Sequence, residues 1–157
     1  MMSPGRREFL IRSAGLGAAA VLASVLPAGS GEATPAMLDA AIRKIVGEAT
    51  SQRGRVRLEV PPIVENGNAV PLTIAVDSPM TNADHVAAIH VFNEKNPQPH
   101  VVTIHLGPRA GRAQIATRIK LADSQRIVAV AAMSDGSFWA GEAEIIVTIA
   151  ACVEDLP

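Results

Sequence analysis

The sequence predicts an all-β fold, an immunoglobulin-like antiparallel β-sandwich with one N-terminal helix added. Three observations carry that expectation. Apolar residues alternate at period two in most segments beyond residue 55. Turn signals separate those segments at regular intervals, and only one stretch shows helical spacing. Aromatic residues make up 3% of the chain, with no tyrosine, so a core has to be built from Val, Ile, Leu and Ala. That mix suits strands when it alternates.

The first 33 residues read as a twin-arginine (Tat) signal peptide. Arg6 and Arg7 precede the apolar pair Phe9-Leu10, an Ala-rich stretch runs from Leu16 to Leu26, and small residues follow from Pro27 to Ala33. A membrane anchor and an ordinary secretory signal are the alternatives. The apolar stretch is shorter than the ~20 residues a spanning helix needs, and paired arginines with weak hydrophobicity favour the Tat route. Processing is expected between Gly31 and Thr34, with a periplasmic mature chain and no membrane segment in it.

Residues 34–149 read as one sandwich domain. Thr34-Pro35 is a helix start, with Thr34 as N-cap and Pro35 at the first helical position. Leu38, Ile42, Ile45, Val46 and Ala49 recur at helical spacing, so the helix should end near Gly47 to Ser51. Thr50 to Arg55 is polar and is expected to be a loop. Val56, Leu58 and Val60 alternate with charged residues until Pro61-Pro62 stops the strand. Glu65 to Asn68 is a turn. Leu72, Ile74 and Val76 form the second strand, Val86 to Phe92 the third, and Val101 to Leu106 the fourth. Ala113 to Leu121 is the fifth and Ile127 to Ala132 the sixth. Asp135-Gly136 is turn chemistry and leads to the seventh and last strand, read through Ala143 to Cys152.

That last run bears on function. Cys152 is the one cysteine of the chain. A single thiol in an exported protein is buried and inert, joined to another molecule, or free and reactive. A position five residues from the end, in a tail assigned to residues 150–157, argues against burial. Strand parity places Ala143, Ile145, Val147, Ile149 and Ala151 on the core face, which leaves Cys152 pointing outward; one bulge would reverse this.

Other chemistry is weakly signalled. The net charge is −1, and no basic patch suits nucleic acid. His85, His90, His100 and His105 are read as surface or half-buried residues, because a metal needs three or four convergent ligands. Arg118 and Lys120 share one strand face, either a solvated face or an anion-binding patch. No phosphate loop, nucleophile elbow or cysteine pair is present, and no cofactor is expected.

Several stretches resemble the SoxY family of the thiosulfate-oxidising (Sox) system. They are Val60-Pro61-Pro62-Ile63-Val64-Glu65-Asn66-Gly67, Val70-Pro71-Leu72 and Asn96-Pro97-Gln98-Pro99. After them come Ala116-Thr117-Arg118-Ile119-Lys120-Leu121-Ala122, Ser124-Gln125 and Ser134-Asp135-Gly136-Ser137. The resemblance implies a sandwich protein that catalyses nothing itself and holds sulfur intermediates covalently on a C-terminal cysteine, which maps to Cys152. It implies a heterodimer with a SoxZ-like subunit. It also implies transient encounters with a Sox cytochrome complex, a di-manganese hydrolase and a sulfane dehydrogenase. The family's tail is Gly-Gly-Cys-Gly-Gly, whereas this one is Ala150-Ala151-Cys152-Val153-Glu154-Asp155-Leu156-Pro157. Alanines are stiffer than glycines, and the two acids oppose both a thiolate and an anionic adduct. The alternative reading is therefore a SoxY-like assembly module that pairs with its subunit without covalent carriage.

Overall fold

The computed structural model describes residues 34–151. Helix α1 spans Pro35–Val46. Thr34 caps it, its hydroxyl accepting the Met37 N–H at 3.4 Å. Gly47, at φ +62°, ends it and returns its N–H to the Arg43 carbonyl. A residue with a Cβ would resist that left-handed φ. The nine strands are β1 (Gln52–Arg53), β2 (Val56–Glu59), β3 (Ile63–Val64), β4 (Val70–Val76), β5 (Val86–Asn93), β6 (His100–His105), β7 (Gln114–Ile119), β8 (Gln125–Met133) and β9 (Phe138–Val147).

Two sheets face each other. The larger runs β1-β9-β8-β5-β6, with β3 also against β9; the smaller runs β2-β4-β7. The alternating apolar residues of β4 (Val70, Leu72, Ile74, Val76) meet Ile89 and Val91 of β5, Ile127 and Ala129 of β8, and Ile145 of β9 in the central core. The expected sandwich and its capping helix are both present.

Strands β5 and β8 are buried on both faces. Their inner residues fill the sandwich. Their outer residues Phe92, Val128 and Val130 lie under Leu38 of α1, flanked by Ile42 and Ile45. Burial on two faces removes any need for a polar alternate position, so these strands appear in the sequence as apolar runs, broken within β5 by His90.

Two elements depart from the expectation. Thr50 to Arg55 contains β1, and the segment after Pro61-Pro62 contains β3. Both pair parallel with β9, at Gln52↔Trp139 and Arg53↔Ala140 and at Ile63↔Ile146 and Val64↔Val147; the other ladders are antiparallel. Two-residue strands have no periodicity of their own, so nothing local announces them. Between them the chain leaves this sheet to form β2, passing so close to Gly141 that an added Cβ would lie 2.6 Å from the Val56 carbonyl oxygen and 2.9 Å from Leu58. Among the described residues no helix is long and apolar enough to cross a membrane.

Leu38 is fully buried between helix and sheet. Leu38→Ala should cost roughly 2–5 kcal/mol, the range for truncating a buried leucine. Denaturant unfolding followed by circular dichroism measures this as a lowered midpoint.

Candidate functional site

Cys152 lies outside the described residues, as do residues 1–33 with their twin-arginine motif. What the structure defines is the platform from which the cysteine segment departs. β9 ends at Val147. There the Ser124 hydroxyl accepts the Val147 N–H at 2.9 Å, and the Thr148 N–H donates to the Val64 carbonyl at 3.0 Å. The strand alternation stops at this point. Ile145 and Val147 are buried as expected, but Ile149 is 66% exposed and Ala151 is buried. The expectation that Ile149 faces the core is thus incorrect: the bonds to Ser124 and Val64 turn the chain out of the pleat. Period-two parity cannot be carried from β9 to residue 152.

Beyond the turn, the backbone is clasped. The Gly67 N–H donates to the Ile149 carbonyl at 2.9 Å. The Leu121 N–H donates to the Gly67 carbonyl at 2.8 Å, and the Ala151 N–H donates to the Leu121 carbonyl at 3.0 Å. Three chain segments therefore exchange hydrogen bonds around one glycine. A Cβ at Gly67 would run into the Leu121 carbonyl oxygen and lie 2.8 Å from the Ala151 nitrogen. Gly67 is required here for space. The sequence offered only the Asn66-Gly67 turn signal, which is also correct: the Asn66 side chain accepts the Asn68 N–H at 2.9 Å.

The clasp rests on a second, polar layer. Gln125 is buried. Its side-chain oxygen accepts the N–H groups of Glu94 (3.1 Å) and Lys95 (2.8 Å), and its amide donates to Asn96 (2.9 Å) and the Asp123 carbonyl (3.1 Å). Asn96 in turn donates to the Lys120 carbonyl at 2.9 Å and accepts the Ala122 N–H at 3.0 Å. A buried amide is stable only with its donors and acceptors matched, so these bonds fix the backbone on both sides of Leu121. Outside them, Lys95 donates to Asp123 at 2.7 Å. That bond, followed by the Ser124 N–H, holds the Asp123 carboxyl below its usual range.

Four of the stretches that carry the resemblance thus meet at one end of the sandwich: residues 60–67, Asn96, residues 116–122 and Ser124-Gln125. The turn at residues 134–137 lies elsewhere. There Asp135 accepts from the Ser137 hydroxyl at 2.7 Å and the Ser137 N–H at 2.8 Å. These bonds hold its carboxyl low and bear out the turn reading.

Of the four histidines, expected to be surface or half-buried, His85, His100 and His105 are so, whereas His90 is buried. The β5–β6 ladder sets His90 opposite Thr103 and Ala88 opposite His105. The Thr103 hydroxyl sits 2.8 Å from His90 Nδ1 and 2.9 Å from His100 Nε2. One hydroxyl cannot donate to both rings, so at least one ring nitrogen is the donor. Burial holds the His90 pKa below its ordinary value, and the His100 and His105 charges add to this. Among the described residues no group of three or more His, Cys, Asp or Glu could hold a metal ion. Arg118 and Lys120 are exposed.

Two predictions follow from this geometry. Gly67→Ala should destabilise the domain by about 1–3 kcal/mol, the usual cost of forcing extra volume into a packed site. Hydrogen exchange at the Ala151 amide should accelerate, because its acceptor is displaced. For His90, the folded pKa lies below the unfolded value near 6.5, so the unfolded chain binds the proton more readily. This contribution to stability is complete above that value and is lost as pH falls below it. Unfolding measured from pH 8 to about 5 should show that decline, and His90→Gln should make it shallower.

Comparison with known proteins adds three findings. The model of the family described as sulfur oxidation protein SoxY matches residues 42–152. The solved structure of the sulfur carrier protein SoxY from Chlorobium limicola f thiosulfatophilum is similar at 28% identity and TM-score 0.61, covering 73% of this chain and 98% of that one. A superoxide reductase (neelaredoxin) from Ignicoccus hospitalis is similar at 19% identity and TM-score 0.53, covering 73% and 94%, a likeness of fold alone. No curated protein sequence matches. A family match across this much of the chain, ending at the cysteine itself, shows that the chain belongs to the SoxY family of sulfur oxidation proteins.

Proposed function

We propose that this chain is a periplasmic, non-catalytic sulfur carrier, exported by the Tat route, that holds sulfur intermediates on Cys152 during thiosulfate oxidation. The observation that carries this reading is the clasp at Gly67 and Leu121, which fixes the backbone up to Ala151 and so delivers the cysteine from a defined point on the rim. A carrier needs that arrangement. Its cargo atom has to enter the active sites of other proteins while the domain stays outside them.

The chemistry asked of the cysteine is simple. Its thiolate and the outer sulfur of thiosulfate form an S–S bond, and two electrons pass to an external acceptor, a role suited to a c-type cytochrome complex. Water then attacks the sulfonate sulfur. Sulfate leaves with two protons, and a persulfide anion remains on Cys152. A di-manganese hydrolase suits that step, and a sulfane dehydrogenase suits oxidation of the remaining sulfur. No residue described here has to act as acid, base or nucleophile, and no cofactor is called for.

Pairing with a SoxZ-like subunit belongs to the same proposal. Ile63 and Ile146 are exposed at 59% and 56% and are register partners, with exposed Ile149 three residues further on. Apolar surface of this kind at the rim supports a protein partner there.

Intact-mass spectrometry of the chain from thiosulfate-grown cells should show sulfur-containing adducts on Cys152, absent from the Cys152→Ala variant. Unmodified thiol alone would remove covalent carriage. Sulfur oxidation that survives Cys152→Ala but fails on deletion of the protein would favour the assembly reading.

A further inference from the structure

The side of the sandwich formed by β6 and β7 carries one sign of charge and a strand with a free edge. From residue 95 to residue 122 the chain holds five Lys/Arg and no carboxylate. Among the described residues, Arg109, Arg112, Arg118 and Lys120 form no ion pair, whereas Arg53, Arg55, Lys95 and Arg126 all do. Arg109, Arg112, Arg118 and Lys120 are also exposed. β2, the other border of the small sheet, is four residues long and bears both signs, on Arg57 and Glu59.

β7 pairs with β4 alone. The Val76 N–H donates to the Ala113 carbonyl at 2.8 Å, and the register continues through Ile74↔Ile115 and Leu72↔Thr117. Antiparallel bonding alternates along a strand, so the N–H and C=O groups of Gln114, Ala116 and Arg118 point away from β4. The same edge accepts a donor where one lies within reach: the Asn96 amide donates to the Lys120 carbonyl at 2.9 Å. Side chains alternate too. Gln114, Ala116 and Arg118 are exposed on the outer face. Ile115, Thr117 and Ile119 share the inward side with their register partners Ile74, Leu72 and Val70, yet Thr117 is exposed and Ile115 only half-buried. The core is incompletely covered at this edge.

We propose that β7 is a docking edge that takes a strand from an acidic protein partner. The added strand bonds to the outward backbone groups of Gln114, Ala116 and Arg118. Its inward residues are apolar and cover Ile115. Its outward residues are Asp or Glu and lie beside Arg118 and Lys120, since opposite charges on neighbouring strands attract. Arg109 and Arg112, in the loop that enters β7, steer the approach. Lys120 precedes Leu121, whose carbonyl accepts the Ala151 N–H, so the partner is seated beside the point where the cysteine segment leaves. The docking edge adds to the carrier reading without depending on it.

The test is amide NMR of the isotope-labelled protein, titrated with a synthetic peptide that alternates Glu and Val. Shifts should move at the Gln114, Ala116 and Arg118 amides, and solvent exchange at the Ala116 amide should slow. Binding should be about ten-fold weaker at high than at low ionic strength, the scale of two or three exposed ion pairs. The Lys/Val counterpart should not bind. R118E/K120E should reverse the preference, taking the Lys/Val peptide and refusing the Glu/Val one. A Glu/Val peptide methylated on every backbone nitrogen keeps its charge but has no donor, and should not bind. Equal binding of the two peptides, shifts confined to other strands, no binding at millimolar peptide, or equal binding of the methylated form overturns the proposal. No sulfur chemistry enters this readout: peptide binding without sulfur adducts sinks carriage alone, and adducts without peptide binding sink the docking edge alone.

Discussion

Burial of β5 and β8 on both faces is the constraint around which the molecule is arranged. Their inner residues Ile89, Val91, Ile127 and Ala129 join the sandwich core, while Phe92, Val128 and Val130 are sealed by α1. With this pair fixed, β9 can extend as a ten-residue strand on one side and deliver its end to the rim. The rim is then held by backbone bonds and by two buried or half-buried amides, which are directional where apolar contacts are not. The molecule thus divides its tasks: apolar packing sets the body, and hydrogen bonds set the place where the cysteine segment leaves it.

Much of this was legible in the sequence, for identifiable reasons. Helix α1 was readable because Thr34-Pro35 and Gly47 mark its ends and Leu38, Ile42 and Ile45 mark its face. β4 and β7 alternate because each has one face outside the core. β5 and β8 were readable as strands from their composition, although their apolar runs, interrupted only by His90 in β5, did not say which side the helix would cover. What escaped was information held by partners elsewhere in the chain. β1 and β3 exist because β9 offers a matching register. Ile149 faces solvent because Ser124 and Val64 end the pleat two residues earlier. Gly67 was read correctly as a turn, but its closeness to Leu121 and Ala151 is a long-range fact, as is the meeting of His90 and His100 at Thr103.

The family resemblance takes on physical meaning in the same way. Its short stretches are scattered from residue 60 to residue 137, and none suggests a site alone. In three dimensions most of them converge on the end of β9, through Gly67, Asn96, Leu121, Ser124 and Gln125. Their shared property is support of one backbone exit. In the sequence it is followed by Cys152 and then by Glu154 and Asp155.

The two short parallel strands on β9 have a colloidal consequence. A long sheet border with open N–H and C=O groups is a template for another chain to add to, and so for self-association. β1 occupies this border at Trp139 and Ala140, and β3 occupies it at Ile146 and Val147. The crossing of β2 over Gly141 obstructs the middle. The longest strand among the described residues is therefore protected from fibril-like growth along that side by four paired residues and one glycine.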